Sequence, residues 1–286
     1  MTRPFSQAFS LTPEQRRQFL EDGVTRVRAA IPAGAVEAMA ERIWRVFTRR
    51  FGFLRDQPET WTTPSTAAVI QPVLAQMANV GVFAGMLSPA VESLLDDVFG
   101  EHGWRPPRLP PRPLGLLFPT PGRAWSVPTR HWHLDFGPSR PADAADQPWP
   151  ERIRLFGYLS SVEPGGGGTF YVSGSHRAVG LVATDMWTTR ERVTSSMVVK
   201  RLRGESDWFA ELCSKGEEDA GRVSRFMGES TAFRDLPLRV AEMTGEPGDL
   251  LMWHPNLLHT HPTSNRRQTP RLMLSATVDA GREAEG

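Results

Sequence analysis

Sulfur is nearly absent from the reactive groups of this chain: Cys213 is its single cysteine among 286 residues. An internal disulfide framework and a thiolate cluster are therefore excluded, and any metal must be held by nitrogen and oxygen ligands. An excess of one charge is also missing. Thirty-three basic side chains face 32 acidic ones, a formal net charge of +1, which provides no electrostatic footprint for nucleic acid. Local basic clusters such as RRQTPR are short and flanked by prolines. Long hydrophobic runs are lacking too. No stretch approaches the roughly 20 apolar residues that span a bilayer, and the opening MTRPFSQAFSLTPEQRR has no apolar signal core. Together these absences predict a cytoplasmic protein whose partner is a small molecule, with no nucleic acid and no membrane. A phosphate loop is absent as well: Gly165 to Gly168 are consecutive glycines, but no Gly-x-x-x-x-Gly-Lys follows. The glycines read as a tight turn between two strands, and His176 beyond them reads as a structural residue near a strand end.

What is present divides into a helical front and a strand-rich back. Thr12 and Gln15 form a capping box with Pro13 at the first helical position and Gly23 at the stop, predicting a short helix. Val36, Met39, Ala40, Ile43, Trp44 and Phe47 recur at helical spacing, and Ser88-Pro89 opens a further helix with Val91, Leu94, Leu95 and Val98 on one stripe before Gly100. RPPRLPPRP after Pro106 cannot continue a helix and is an extended connector. Strands are expected at 114–118, 153–162, 169–172, 238–243, 249–253 and 271–278, separated by Gly, Pro and Asn turns. That texture favours an antiparallel sandwich or barrel over βαβ units. One domain over 1–286 is expected, with the front at 1–105 and the β core at 106–280. The connection at about 184–235 is longer than usual, so it should carry helices of its own and cover the mouth as a lid, its aromatics Trp187, Trp208, Phe209, Phe226 and Phe233 mostly packed.

The chemistry concentrates in two places. In RHWHLDFG, residues 130–137, a regular strand would place His131, His133 and Asp135 on one face and Trp132 and Leu134 on the other. An imidazole and a carboxylate two residues apart form the neighbouring half of the two-histidine, one-carboxylate triad that holds non-haem iron(II) with open positions; the bland alternative is a hydrogen-bonded pair at a strand end. Near the carboxyl end, GEPGDLLMWHPNLLHTHPTSNRRQTPRLMLSATV presents His254, His259 and His261, and Arg271 heads an apolar strand twelve residues after His259. Arg271 there needs a partner, either a bound carboxylate or an acidic side chain at the sheet edge. His259 and His261 differ by two positions, so strand parity cannot choose between them.

Taken in order and spacing, His133-x-Asp135, EPGGGGTFYVSGSH, PGD, LLH, Asn265 and TPRLML resemble the phytanoyl-CoA dioxygenase family of iron(II)- and 2-oxoglutarate-dependent oxygenases, as does FLEDGVTRVRAAIP near the front. The resemblance runs from Leu11 to Val278. It departs at Ser173, where the family often has proline, and in a slightly longer interval from His259 to Asn265. It implies a mainly β fold with flanking helices, the double-stranded β-helix or jelly roll. Carried over by residue, His133, Asp135 and His259 match the metal ligands, the last by its interval of ten from Asp249. Arg271 matches the residue that grips the far carboxylate of 2-oxoglutarate, Thr169 lines the site, and His131 contacts the cosubstrate or supports the ligands. The implied reaction consumes O2 and 2-oxoglutarate on Fe(II) and hydroxylates an unactivated carbon of a small organic molecule or acyl thioester, releasing succinate and CO2. Two other readings differ in chemistry: a jelly-roll binding protein without catalysis, and a cupin-type metalloenzyme that needs no 2-oxoglutarate.

Overall fold

The Thr12 hydroxyl accepts a hydrogen bond from the Gln15 amide and the Gln15 side-chain oxygen accepts one from the Thr12 amide, so the capping box starts α1 (Pro13–Asp22) as expected. Gly23, at φ 81°, ends it by donating to the Phe19 carbonyl. In this computed structural model residues 9–61, 67–77, 80–140 and 149–281 are described, apart from 215, 217 and 220. The chain turns from α1 straight into β1 (Val24–Val27), then α2 (Ala33–Phe51), α3 (Ala67–Gln76) and α4 (Pro89–Phe99). α2 buries the predicted stripe from Val36 to Phe47, and α4 buries Val91, Leu94, Leu95 and Val98.

Two short strands, β2 (Trp104–Arg105) and β3 (Arg112–Pro113), precede β4 (Arg152–Tyr158) and β5 (Phe170–Ser173). The helices α5 (Ser175–Trp187), α6 (Ser195–Glu205) and α7 (Asp207–Leu212) follow, with a shorter helical stretch over 221–228, then β6 (Thr231–Phe233), β7 (Leu236–Glu242), β8 (Leu250–Trp253), β9 (His259–Thr260) and β10 (Met273–Ala280). The strands make two antiparallel sheets. The larger has the order β1-β8-β4-β10-β2 with β3 also on β10, and the smaller has the order β6-β7-β5-β9. The front therefore lends β1 and β2 to the main sheet, and is more than a helical cover.

Alternation along the strands sorts the core into three layers. Ile153, Leu155, Leu250, Met252, Leu274 and Val278 point outward into the bed formed by α2 and α4. Phe156, Tyr158, Leu251, Trp253 and Met273 point inward between the sheets. Phe170, Val172, Leu238 and Val240 face the far side, under α5 to α7. A strand covered on both faces reads as a continuous apolar run, and β8 (LLMW) does, whereas β4 interleaves Arg152 and Arg154 on its inward face.

Three expectations change. The run 114–118 is not a ladder strand: Gly115 has φ 63°, and only Leu117 bridges, to Arg271. His176 is structural and near the end of β5, as expected, but it lies within the first turn of α5, its Nε2 hydrogen-bonded to the Leu20 carbonyl. The segment expected as a lid packs chiefly on the outer face of the smaller sheet, where Trp208, Phe209, Phe226 and Phe233 are all buried. Its loop near Val193 and Thr194 approaches the 130–137 segment at Gly137, and Trp132 and Leu134 share the apolar cluster beneath its helices.

Candidate metal centre

His133 and His259 face each other across the one antiparallel bridge that joins the 130–137 segment to β9, each amide donating to the other's carbonyl at 2.9 and 3.1 Å. The pairing brings the rings to 4.2 Å between centroids. Each Nδ1 is tied to a carbonyl two residues earlier in its own chain: His133 to His131 at 2.6 Å and His259 to Leu257 at 3.0 Å. A carbonyl only accepts, so both δ nitrogens carry their protons and both ε nitrogens keep a free lone pair. Those lone pairs converge. Nε2 of His133 and Nε2 of His259 each lie 3.6 Å from Oδ1 of Asp135, and the three groups offer ligand atoms within 4.8 Å of one another.

The segment is not the regular strand expected of it. His131 has φ 62° and is exposed, so its side chain leaves the face shared by His133 and Asp135, and its carbonyl is what reaches the site. Trp132 and Leu134 are buried on the opposite side, as alternation requires.

Electrostatics favour an ionised Asp135 and a neutral His259. Burial alone would raise the Asp135 carboxyl, but the His133 contact and the neighbouring His259 and Arg154 outweigh it and lower the pKa to about 2. His259, 3 % exposed, is pushed down to about 4 by burial. His133 is raised instead, because the nearby Asp135 carboxylate favours its protonated form. Sequence reading missed Arg154. It stands on the inward face of β4, donates to the Thr277 hydroxyl at 2.6 Å, lies over Trp253, and sets its Nε 2.9 Å from Oδ2 of Asp135. An arginine set between Ile153 and Leu155 inside the strand RIRLFGY was the available signal.

His261 lies to one side, its ring 5.7 Å from that of His133, and burial followed by the charge of Arg271 lowers it to about 4. His254 is remote from the centre, stacked near His176 at 4.8 Å and Phe19 at 6.2 Å. Arg271 is 3 % exposed and, among the described residues, forms no salt bridge, which leaves the sheet-edge ion pair unsupported. Its Nε donates to the Gly115 carbonyl at 2.6 Å and its Nη1 to the Gly167 carbonyl at 2.5 Å. The glycine turn is thus part of the cradle, with Gly165 and Gly167 at φ 81° and 80° and the amides of Gly165 and Gly168 donating to Glu242. Thr169 is buried two residues beyond Gly167. Asn265 is structural: fully buried, it donates to the Leu117 and Thr269 carbonyls and pins the loop that delivers Arg271.

The sequence model of the phytanoyl-CoA dioxygenase family matches residues 19–269. The chain belongs to this family. It is an iron(II)- and 2-oxoglutarate-dependent dioxygenase with the family's jelly-roll fold. Among solved structures, EvdMO1 aligns over 94 % of this chain and 50 % of its own, at 15 % identity and a TM-score of 0.51. HygX from Streptomyces hygroscopicus, crystallised with nickel and 2-oxoglutarate, aligns over 95 % of this chain and 88 % of its own at 18 % identity and a TM-score of 0.48. The non-haem α-ketoglutarate-dependent carbocyclase SnoK of nogalamycin biosynthesis aligns over 94 % and 84 % at 13 % identity and a TM-score of 0.47. No curated protein matches the chain.

The residues present fit the groups the family uses. Two neutral imidazoles and one carboxylate suit iron(II), and no thiolate is near. For 2-oxoglutarate, the buried guanidinium of Arg271 forms no salt bridge among the described residues, Glu242 acting on it only through space. The Tyr158 hydroxyl, buried and electrostatically coupled to Arg271, has no hydrogen-bond partner. A carboxylate would complete both.

Proposed function

We propose that His133, Asp135 and His259 are the iron(II) ligands of this dioxygenase, and that Arg271 grips the distal carboxylate of 2-oxoglutarate with Thr169 beside it. We further propose that the enzyme hydroxylates an unactivated carbon of a small organic molecule or acyl thioester. The observation that carries this reading is the convergence of two ε nitrogens on one carboxylate oxygen, each at 3.6 Å, with both δ nitrogens bound to carbonyls. When bound, iron(II) and 2-oxoglutarate supply the activation of O2 that oxidises a substrate carbon, with succinate and CO2 released.

The chain's own groups orient and exclude. Asp135 presents Oδ1 to the centre while Oδ2 stays with Arg154, so it offers a single donor oxygen. The His131 carbonyl sets the tautomer and ring angle of His133, which gives His131 its place in the site, and its exposed imidazole is proposed as a contact for the cosubstrate. Arg271, held by two carbonyls, keeps a rigid fork for a carboxylate. Trp253 packs edge-on against His259 at 4.7 Å and keeps water from that side.

The experiment is an anaerobic iron(II) titration paired with succinate measurement. Wild type should form succinate slowly from 2-oxoglutarate and faster with its substrate. His259→Ala should lose metal affinity and turnover together, whereas His261→Ala should retain the metal. Retention of tight iron binding by His259→Ala would move the distal ligand elsewhere.

A further inference from the structure

Beside the centre a cavity of about 300 Å³ opens on the inward face of the larger sheet. Its wall includes Arg108, Arg112, Arg152 and Arg154, with Phe136 and Thr277, and a single acidic side chain, Asp279. Arg154 belongs to both places, since it also pairs with Asp135. Phe136 directly follows that residue in the chain and lies under the Arg152 guanidinium at 4.4 Å. The cavity is therefore one side chain away from the proposed ligands.

The four arginines are not equivalent. Arg152 is committed to Asp279, and Arg154 to Asp135 and Thr277. Arg108 and Arg112 have no acidic partner among the described residues. Arg112 pairs with Ser275 in the β3–β10 register, which places it on the same inward face as Phe156 and Ser275. Both sit in RPPRLPPRP, where Pro107, Pro110, Pro111 and Pro113 fix the backbone around them. Arg108 and Arg112 are exposed, and the connector's prolines bring their two uncommitted guanidinium groups to the cavity wall from a restricted backbone, so backbone ordering adds little to the cost of holding an oxyanion there.

We infer that this cavity is an anion subsite for the substrate, in which Arg108 and Arg112 hold a carboxylate or phosphate group while the carbon to be oxidised lies toward Asp135. The inference rests on the reading of the centre above and adds the substrate's charge to it. The Arg152–Asp279 pair closes the wall, and Phe136 gives an apolar surface for the body next to the charged head.

Calorimetric titration of the full chain, loaded anaerobically with iron(II) and 2-oxoglutarate, tests it with three probes that share one ring: phenyl phosphate, benzoate and benzamide. At least one anion should bind saturably while neutral benzamide does not, and the tighter anion identifies the head group as phosphate or carboxylate. In the Arg108→Ala/Arg112→Ala variant its dissociation constant should rise at least about tenfold, as expected for lost charge-assisted hydrogen bonds. Arg192→Ala/Lys200→Ala, which removes the same charge from exposed positions elsewhere, should leave it unchanged. If the first double variant lost its native circular dichroism, Arg112→Gln alone should weaken binding in the same direction. Equal binding of benzamide, no binding of either anion, or undiminished binding in the arginine variants would overturn the subsite. The visible absorption of the iron and 2-oxoglutarate complex, recorded on the same wild-type sample, reports separately on the centre.

Discussion

At Asp135 the two carboxylate oxygens face different neighbours, Oδ1 toward both histidine ε nitrogens and Oδ2 toward Arg154. Arg154 acts through Asp135 and so is a positioning residue: its cation fixes which oxygen is offered and keeps the carboxyl ionised. Arg154→Ala should weaken iron(II) binding by about 10-fold or more, the usual scale for losing a partner of a metal ligand. Arg154→Lys should recover part of that loss, since it returns charge without the planar fork. Anaerobic titration of the three proteins checks this, and equal affinities would remove Arg154 from the site.

At the scale of elements, Gly115 explains why the expected strand at 114–118 is broken. Its φ of 63° suits glycine, and a Cβ there would stand 2.5 Å from Nη2 of Arg271. The ladder is interrupted so that the guanidinium can lie against the backbone. Gly115→Ala should therefore displace Arg271 and raise the 2-oxoglutarate dissociation constant several-fold with iron affinity retained, which separate titrations of the two ligands would reveal. The junction of α1 and α5 carries a different consequence. Nε2 of His176 donates to the Leu20 carbonyl at 3.0 Å, Nδ1 is buried without a partner, and a Cβ on Gly23 would come within 2.6 Å of it. Burial lowers His176 to about 4 and holds the adjacent His254 well below its ordinary value. Below pH 6.5 the unfolded chain takes up protons that the folded chain refuses. The stability is complete above pH 6.5 and is lost as pH falls toward 4, by about 1.4 kcal/mol per pH unit for one such group. His176→Gln should reduce the difference between urea midpoints at pH 5 and pH 7.5.

Over the whole molecule, the centre sits between two sheets that are each backed by their own helices. Phe209, fully buried under the smaller sheet, belongs to the outer layer with Val172 and Leu238 and not to the layer around His259. Phe209→Ala should lower unfolding stability by about 3–5 kcal/mol through the cavity it leaves. Iron affinity measured below the lowered melting temperature should match wild type. A parallel loss of iron affinity would mean that the outer helices shape the centre directly.

The sequence by itself determined the elements whose causes are local. The capping box at Thr12 and Gln15, the α2 and α4 stripes, the turn at Gly165 to Gly168 and most inward-facing strands follow from residues a few positions apart. The candidate ligands His133 and Asp135 were legible for the same reason. Tertiary structure alone decided the rest, because those outcomes depend on atoms far apart in the chain. It brought His259 and not His261 against Asp135 through a bridge between residues 126 positions apart, which strand parity could not decide. It turned His131 outward with a left-handed backbone and gave its carbonyl to His133. It committed Arg154 to Asp135 and wrapped the Gly115 and Gly167 carbonyls around Arg271. A periodic pattern records which side of an element is buried, whereas the partner that meets a charged group there is chosen by the packing of the two sheets.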